Sequence, residues 1–162
     1  MVSSLSEQEQ RIVGFVESDG CFINSVFDPD GVEPDFAYSI GFPASLDQPD
    51  ALISGLKLDL MSVLINDLYA LCRDGLRMDD FRRTDRLLTG FECVFREISS
   101  ENLAANFLSS AVWFQETYRG EKFESAFQIV WPDEHGKFPW EAGFDEDTGG
   151  GQLSLWEGGS LH

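Results

Sequence analysis

The residues best equipped for chemistry sit in one short run, Trp131-Pro132-Asp133-Glu134-His135-Gly136-Lys137-Phe138-Pro139-Trp140. Two carboxyls and an imidazole at consecutive positions supply proton donors and acceptors, and a tryptophan at either end supplies the aromatic wall of a small-molecule pocket. With Tyr38 added, Asp133 and His135 sketch an acid–base centre. A second reading competes, in which Pro132 and Pro139 shape a turn whose tryptophans seal the edge of the core. The second is favoured, because a packed loop needs this aromatic–proline pattern and no partner for His135 is visible. No catalytic residue is therefore assigned, and Trp131, Asp133, His135 and Trp140 stand as candidate ligand contacts.

Phe36-Ala37-Tyr38-Ser39-Ile40-Gly41-Phe42 alternates large and small residues, so one face of this strand is almost bare and lets a neighbour approach the backbone closely. A helix is the commoner neighbour. A ligand reaching Tyr38, Ser39 and Gly41 is the sharper alternative, with nearby arginines holding its anionic groups. Arg73, Arg77, Arg82, Arg83, Arg86 and Arg96 fall within 24 residues, but Asp74, Asp79, Asp80, Asp85 and Glu92 are interleaved with them. That mixture favours a solvated, salt-bridged surface over an anion site built on Arg82 and Arg83.

Covalent and metal chemistry find little support. Cys21, Cys72 and Cys93 are an odd number in apolar surroundings and read as reduced core thiols. One of the two histidines is residue 162, which argues against a multi-histidine metal centre. Asp145-Glu146-Asp147-Thr148-Gly149-Gly150 begins like a calcium loop, but its fifth position is Gly149 and its twelfth Trp156 where a bidentate Glu is needed. Phosphate-loop, dinucleotide, nucleophile-elbow and H-E-x-x-H motifs are all missing. No cofactor and no metal are expected.

The elements that would position these residues follow from periodicity and punctuation. Ser6-Glu7-Gln8-Glu9 fits a capping box, opening a helix with Ile12, Val13 and Val16 inward and a stop at Asp19-Gly20. Strands are expected at 21–27, 36–42 and 51–56, with a loop over 43–50. Leu60, Met61, Leu64, Ile65, Leu68, Leu71 and Cys72 predict a helix ending near Asp74-Gly75. A strand over 91–98 follows, with a short extra one near Leu87-Leu88. A last continuous helix is capped at Ser99 and runs through Leu103, Phe107, Ala111, Phe114 and Tyr118. A final strand over 123–131 ends at Pro132. This order implies an α+β fold: a single domain over 1–142 with a mixed or antiparallel sheet and about three helices. Residues 143–162 form an acidic, Gly-rich C-terminal tail whose end is expected to be mobile.

The chain resembles the bacterial family called domain of unknown function 4262. The resemblance rests on the Phe36–Phe42 strand, which is similar to the family's FAYTIG, on Gln48-Pro49-Asp50-Ala51-Leu52-Ile53-Ser54-Gly55-Leu56, and on the late WPD-x-x-G-x-FPW signature of residues 131–140. It spans about residues 10–142. Ser39 stands where the family usually has Thr, Phe42 where Leu is common, and Asp50 where Glu is expected. No activity is implied by it.

Composition narrows the function. The chain has 162 residues, 43% of them hydrophobic, and a formal charge of -18 from 29 acidic and 11 basic side chains. Residues 1–60 hold 11 acids against Arg11 and Lys57, and residues 131–162 hold seven against Lys137. Such a surface repels phosphates, so no nucleic-acid partner is expected. The longest stretch without a charge, Asn102 to Gln115, is too short and too polar to span a membrane, and the N-terminus lacks a secretory pattern, so a cytoplasmic location is expected. Three functions remain. A non-catalytic protein-interaction module, of immunity or antagonist type, steered to a basic protein partner, explains the charge. A small-molecule or flavin-type binding domain explains the bare strand face. A small enzyme explains neither, and an enzymatic role is not favoured.

Overall fold

The Ser6 hydroxyl accepts from the Glu9 N–H at 3.1 Å while the Glu9 carboxylate accepts from the Ser6 N–H at 2.9 Å, closing the expected capping box. Helix α1 (Glu7–Asp19) starts there and stops at Gly20 in the left-handed conformation. The computed structural model describes residues 4–158. The chain continues through β1 (Phe22–Val26), β2 (Phe36–Ile40), a short α2 (Phe42–Leu46), β3 (Asp50–Ser54) and the long α3 (Leu58–Arg73). Strands β4 (Arg83–Leu88) and β5 (Phe91–Glu97) form a hairpin. Helices α4 (Ser100–Ala104) and α5 (Ser109–Val112) lead into a π-helical turn (Trp113–Tyr118), then β6 (Ala126–Val130) and α6 (Glu146–Gly149).

The six strands make one sheet in the order β1-β2-β3-β6-β5-β4. All pairs are antiparallel except β3 and β6, which run parallel with Ile53 opposite Ile129. The sheet is therefore mixed and the fold α+β. Helix α3 covers one face, laying Met61, Leu64, Ile65 and Leu68 on Ala37, Ala51, Ile53, Phe95 and Ile129. Each of these four side chains is fully buried, a contribution of about 1.5–3 kcal/mol apiece at most. Alanines at 37 and 51 let the helix axis come close to the strands, which is why the bare face of β2 exists. The other face carries Tyr38, Ile40, Leu52 and Ala126 and is covered by Ile12, Val13 and Val16 of α1, by Leu108, Ala111 and Phe114, and by Leu155.

Four expectations are corrected. The helix expected over 99–119 starts at its Ser99 cap but breaks at Asn106, which is left-handed at φ 69, and it resumes as α5 and the π turn. The loop expected over 43–50 holds α2. The short strand expected near Leu87-Leu88 is the edge strand β4, which starts at Arg83, and the last strand begins at Ala126 and not at Phe123. The acidic C-terminal segment, over its described part, is packed onto the sheet. Gln128, buried on β6, donates to the Leu153 carbonyl at 2.7 Å and accepts from the Leu155 N–H at 3.0 Å. Ser54 accepts from the Leu153 N–H, and Gln152 exchanges hydrogen bonds with the Trp131 backbone in both directions. Gln128 stands in a run of hydrophobic residues for this reason: a buried carboxamide is tolerated when both its ends are hydrogen-bonded. His162 and the rest of 159–162, where mobility was expected, lie outside the described residues.

Candidate functional site

The β2 strand turns its chemistry inward. Ala37 and Ser39 are fully buried, and the bare face is covered by α3. Ser39 donates through its hydroxyl to Asp50 Oδ1 at 2.7 Å and accepts from the Ala51 N–H at 3.0 Å. The Phe42 N–H donates to the same Asp50 oxygen at 3.0 Å. Burial pushes the Asp50 carboxyl up to about 7, against hydrogen bonds from Ser39, Phe42 and Gly41 that pull it down. Gly41 lies beyond the strand as the left-handed cap of α2, at φ 100, where a Cβ would stand 2.8 Å from both methyl carbons of Val16. Tyr38 points to the opposite face, and its hydroxyl accepts from Asn24 Nδ2 at 2.9 Å and from the Ser110 N–H at 3.1 Å. Tyr38, Ser39 and Gly41 are thus engaged with protein on every polar atom described.

The signature loop has a similar centre. Asp133 is buried, and its Oδ1 accepts from the His135 N–H at 2.9 Å and the Lys137 N–H at 2.8 Å, while Oδ2 accepts from the Asp145 N–H at 2.8 Å. Desolvation works to raise the Asp133 carboxyl, yet the amides of Lys137, Asp145 and His135, with the His135 charge, hold it below the usual carboxylate range. A turn between Asp133 and Lys137 closes with the Asp133 N–H donating to the Lys137 carbonyl at 2.8 Å. Gly149 packs against this centre, where a Cβ would meet Asp133 Cα and Cβ at 2.9 Å. Asp133 is a joint between two loops, with its lone pairs committed.

The two tryptophans do not share a pocket. Trp131 joins the core beneath α3, and its indole N–H donates to the Ser54 carbonyl at 2.8 Å. Trp140 is stacked on Phe138 at 5.4 Å and meets Trp156 edge-on. His135 is exposed, with Nε2 3.3 Å from Glu134. A ligand atom from each of Glu134, His135 and Asp145 lies within 4.8 Å of the others, a trio of types that can hold a metal ion. The Asp145 oxygens already accept from the Asp147 N–H and the Thr148 hydroxyl, so the segment resembling a calcium loop is a capped helical turn.

A different set of residues forms an exposed cluster of aromatic rings and arginines. The Arg96 guanidinium lies 3.9 Å from the Phe81 ring centre, 4.7 Å from that of Trp140 and 5.5 Å from that of Trp156, and its Nε is 3.1 Å from Asp80. Arg83 lies over Phe138 at 5.1 Å and pairs with Glu92. Phe81 is left-handed at φ 68 and 55% exposed, and Trp140 is 36% exposed. Sandwiched cations fix these rings without covering them. Arg82 is exposed and reaches the Arg77 carbonyl. Reading Trp140 as a loop residue and the arginines as a salt-bridged run misses that Phe81, Arg96 and Trp156 join them. The available signal is Phe81, set directly before Arg82 and Arg83 in the arginine-rich segment.

The cysteines are free and buried. Burial is the largest cause pushing their thiols up, to about 11 for Cys21 and Cys72 and about 12 for Cys93, so they are poor nucleophiles. Among the described residues no helix is long and apolar enough to cross a membrane.

The chain belongs to the family described as domain of unknown function (DUF4262), whose model matches residues 15–145 and so takes in both motif strands and the signature loop. No curated protein and no solved structure matches it.

Proposed function

We propose that this member of the family is a non-catalytic protein-interaction module of the bacterial cytoplasm, of immunity or antagonist type, that docks a basic protein through the Phe81–Arg96–Trp140 face. The observation that carries this reading is the pair of exposed aromatic rings held rigid by Arg96. Tryptophan and arginine dominate interface energetics, and pre-ordered side chains lose little entropy on binding. Arg83 and Arg96 are paired with Glu92 and Asp80, and the acids Asp79, Glu97, Glu141 and Glu157 stand next to the face in sequence, as does Arg82, which forms no ion pair among the described residues. A formal charge of -18 attracts a basic partner to the molecule as a whole. The side chains that suggested acid–base chemistry, Asp133 and Tyr38, support this reading too, because their polar atoms are committed to the fold.

The test is a native pull-down from the protein's own host with the wild type and a Phe81→Ser/Trp140→Ala double variant, followed by association kinetics at low and high salt. A basic protein held by the wild type, lost by the variant and slower to associate as salt screens this attraction is the expected result. Equal retention by both, or an association rate indifferent to salt, overturns the proposal.

A further inference from the structure

Away from that face, a cleft of about 300 Å³ opens where the parallel strands β3 and β6 begin. Pro43 and residues 47–49 line one side, and Gln115, Arg119 and residues 121–125 the other. Its volume is at the lower end of small-ligand sites, which run from about 300 to 1,000 Å³. The π turn forms one wall, and such turns recur at functional sites.

Gln115 is only 8% exposed. Its Oε1 accepts from Arg119 Nη1 at 2.8 Å, and its Nε2, which meets no acceptor among the described residues, is open to solvent. Arg119 and Lys122 form no ion pair among the described residues, in a chain with 29 acidic side chains. The cleft therefore presents three donors: a guanidinium held by Gln115, an ammonium and a solvent-open side-chain amide. Asp47, Glu121 and Glu124 line the same space. A pure anion would meet these three carboxylates, and a pure cation would meet Arg119 and Lys122. A molecule carrying both charges a few bonds apart finds groups of both signs to pair with in this lining.

We propose that this cleft binds the zwitterionic head of a small amino-acid-type molecule. Its carboxylate is received by Arg119, Lys122 and the Gln115 amide, and its ammonium by the acids Asp47, Glu121 and Glu124. This site is separate from the protein-docking face and stands without it.

The test titrates the full chain with glycine, L-glutamine, L-glutamate and L-lysine, following backbone amide resonances and heat. Succinate and 1,4-diaminobutane serve as single-charge-type controls. At least one amino acid is expected to saturate, with shifts confined to residues 43–49 and 115–125, and both controls to bind at least about tenfold more weakly. Arg119 is exposed, so Arg119→Ala keeps the fold and weakens the amino acid by about tenfold or more, as loss of a charge-assisted hydrogen bond should. Lys122→Ala repeats the measurement from a second position. The proposal is overturned by the absence of saturable shifts below about 10 mM, a concentration beyond which binding is negligible. Succinate binding as tightly as the amino acids, or Arg119→Ala binding like the wild type, overturns it equally.

Discussion

Asp50 and Asp133 are both buried carboxylates, one at the start of β3 and one just past the end of β6, and their proton affinities move in opposite directions. Asp50 is met by a serine hydroxyl and the Phe42 amide on one oxygen, with the Gly41 amide beside them, and burial wins, lifting its carboxyl to about 7. Asp133 is met by three backbone N–H groups spread over both oxygens, and the amides win. The weight of burial and the spread of fixed donors over the two oxygens together decide which charge state the fold favours. One of these centres is built to stay ionised, while the other sits close to its titration point at neutral pH.

The severest way to break that contrast is Asp133→Ala, which leaves three loop amides without their acceptor. Its denaturant midpoint at neutral pH is expected to fall further than that of any substitution below. Because the folded carboxyl lies below its unfolded value of 3.8, its contribution is present above that value and disappears as pH drops through the folded one. The gap between wild type and variant should close on acidification, and a gap constant down to about pH 2 refutes the ionised joint.

Asp50→Asn probes the opposite sign and keeps an acceptor for Ser39 and Phe42. The folded pKa of about 7 exceeds the unfolded 3.8, so the wild type's advantage is full below 3.8 and is lost as pH rises towards 7. Relative to the variant, the wild type should lose about 1.4 kcal/mol per pH unit across that window. Parallel pH profiles for the two proteins sink the assignment.

Gly41→Val sharpens the Asp50 side through the backbone. A β-branched residue at φ 100, pressed on the Val16 methyls, displaces the amide of the next residue from Asp50 and should cost about 2–3 kcal/mol. Chemical denaturation reads this directly, and an unshifted midpoint would show that α1 yields there. The smallest effect belongs to exposed charge. Arg82→Gln with Arg83→Gln should move stability by less than about 1 kcal/mol, since the Arg83–Glu92 pair is open to water. A larger loss in that double variant would mean the Arg83–Phe138 contact carries more than the ion pair does.

Much of the fold is legible because local signals and tertiary needs agree. The Ser6 capping box, the left-handed Gly20 and the Leu64–Leu68 stripe each mark an element that the sheet then buries. The broken helix after Ser99 is not legible, because its stripe from Leu103 to Tyr118 keeps helical spacing while Asn106, a residue tolerant of positive φ, interrupts the backbone. The tail's glycines and acids suggest looseness, and the residues that secure it, Gln128 and Ser54, lie far away in the chain. The same distance hides the site. Nothing in the spacing of Asp133 tells that the amide of Asp145, 12 positions on, completes its shell.

The strap formed by Gln152 to Trp156 has a consequence in time. Leu153 closes on Ser54 across 99 residues of sequence. At a synthesis rate of about 5–20 residues per second, Ser54 stands ready for about 5–20 s before its partner is made. Until then the face that Leu155 will cover is open to any passing apolar chain. A nascent chain halted before residue 152 should therefore bind general chaperones and yield to protease, whereas one released beyond residue 157 should do neither.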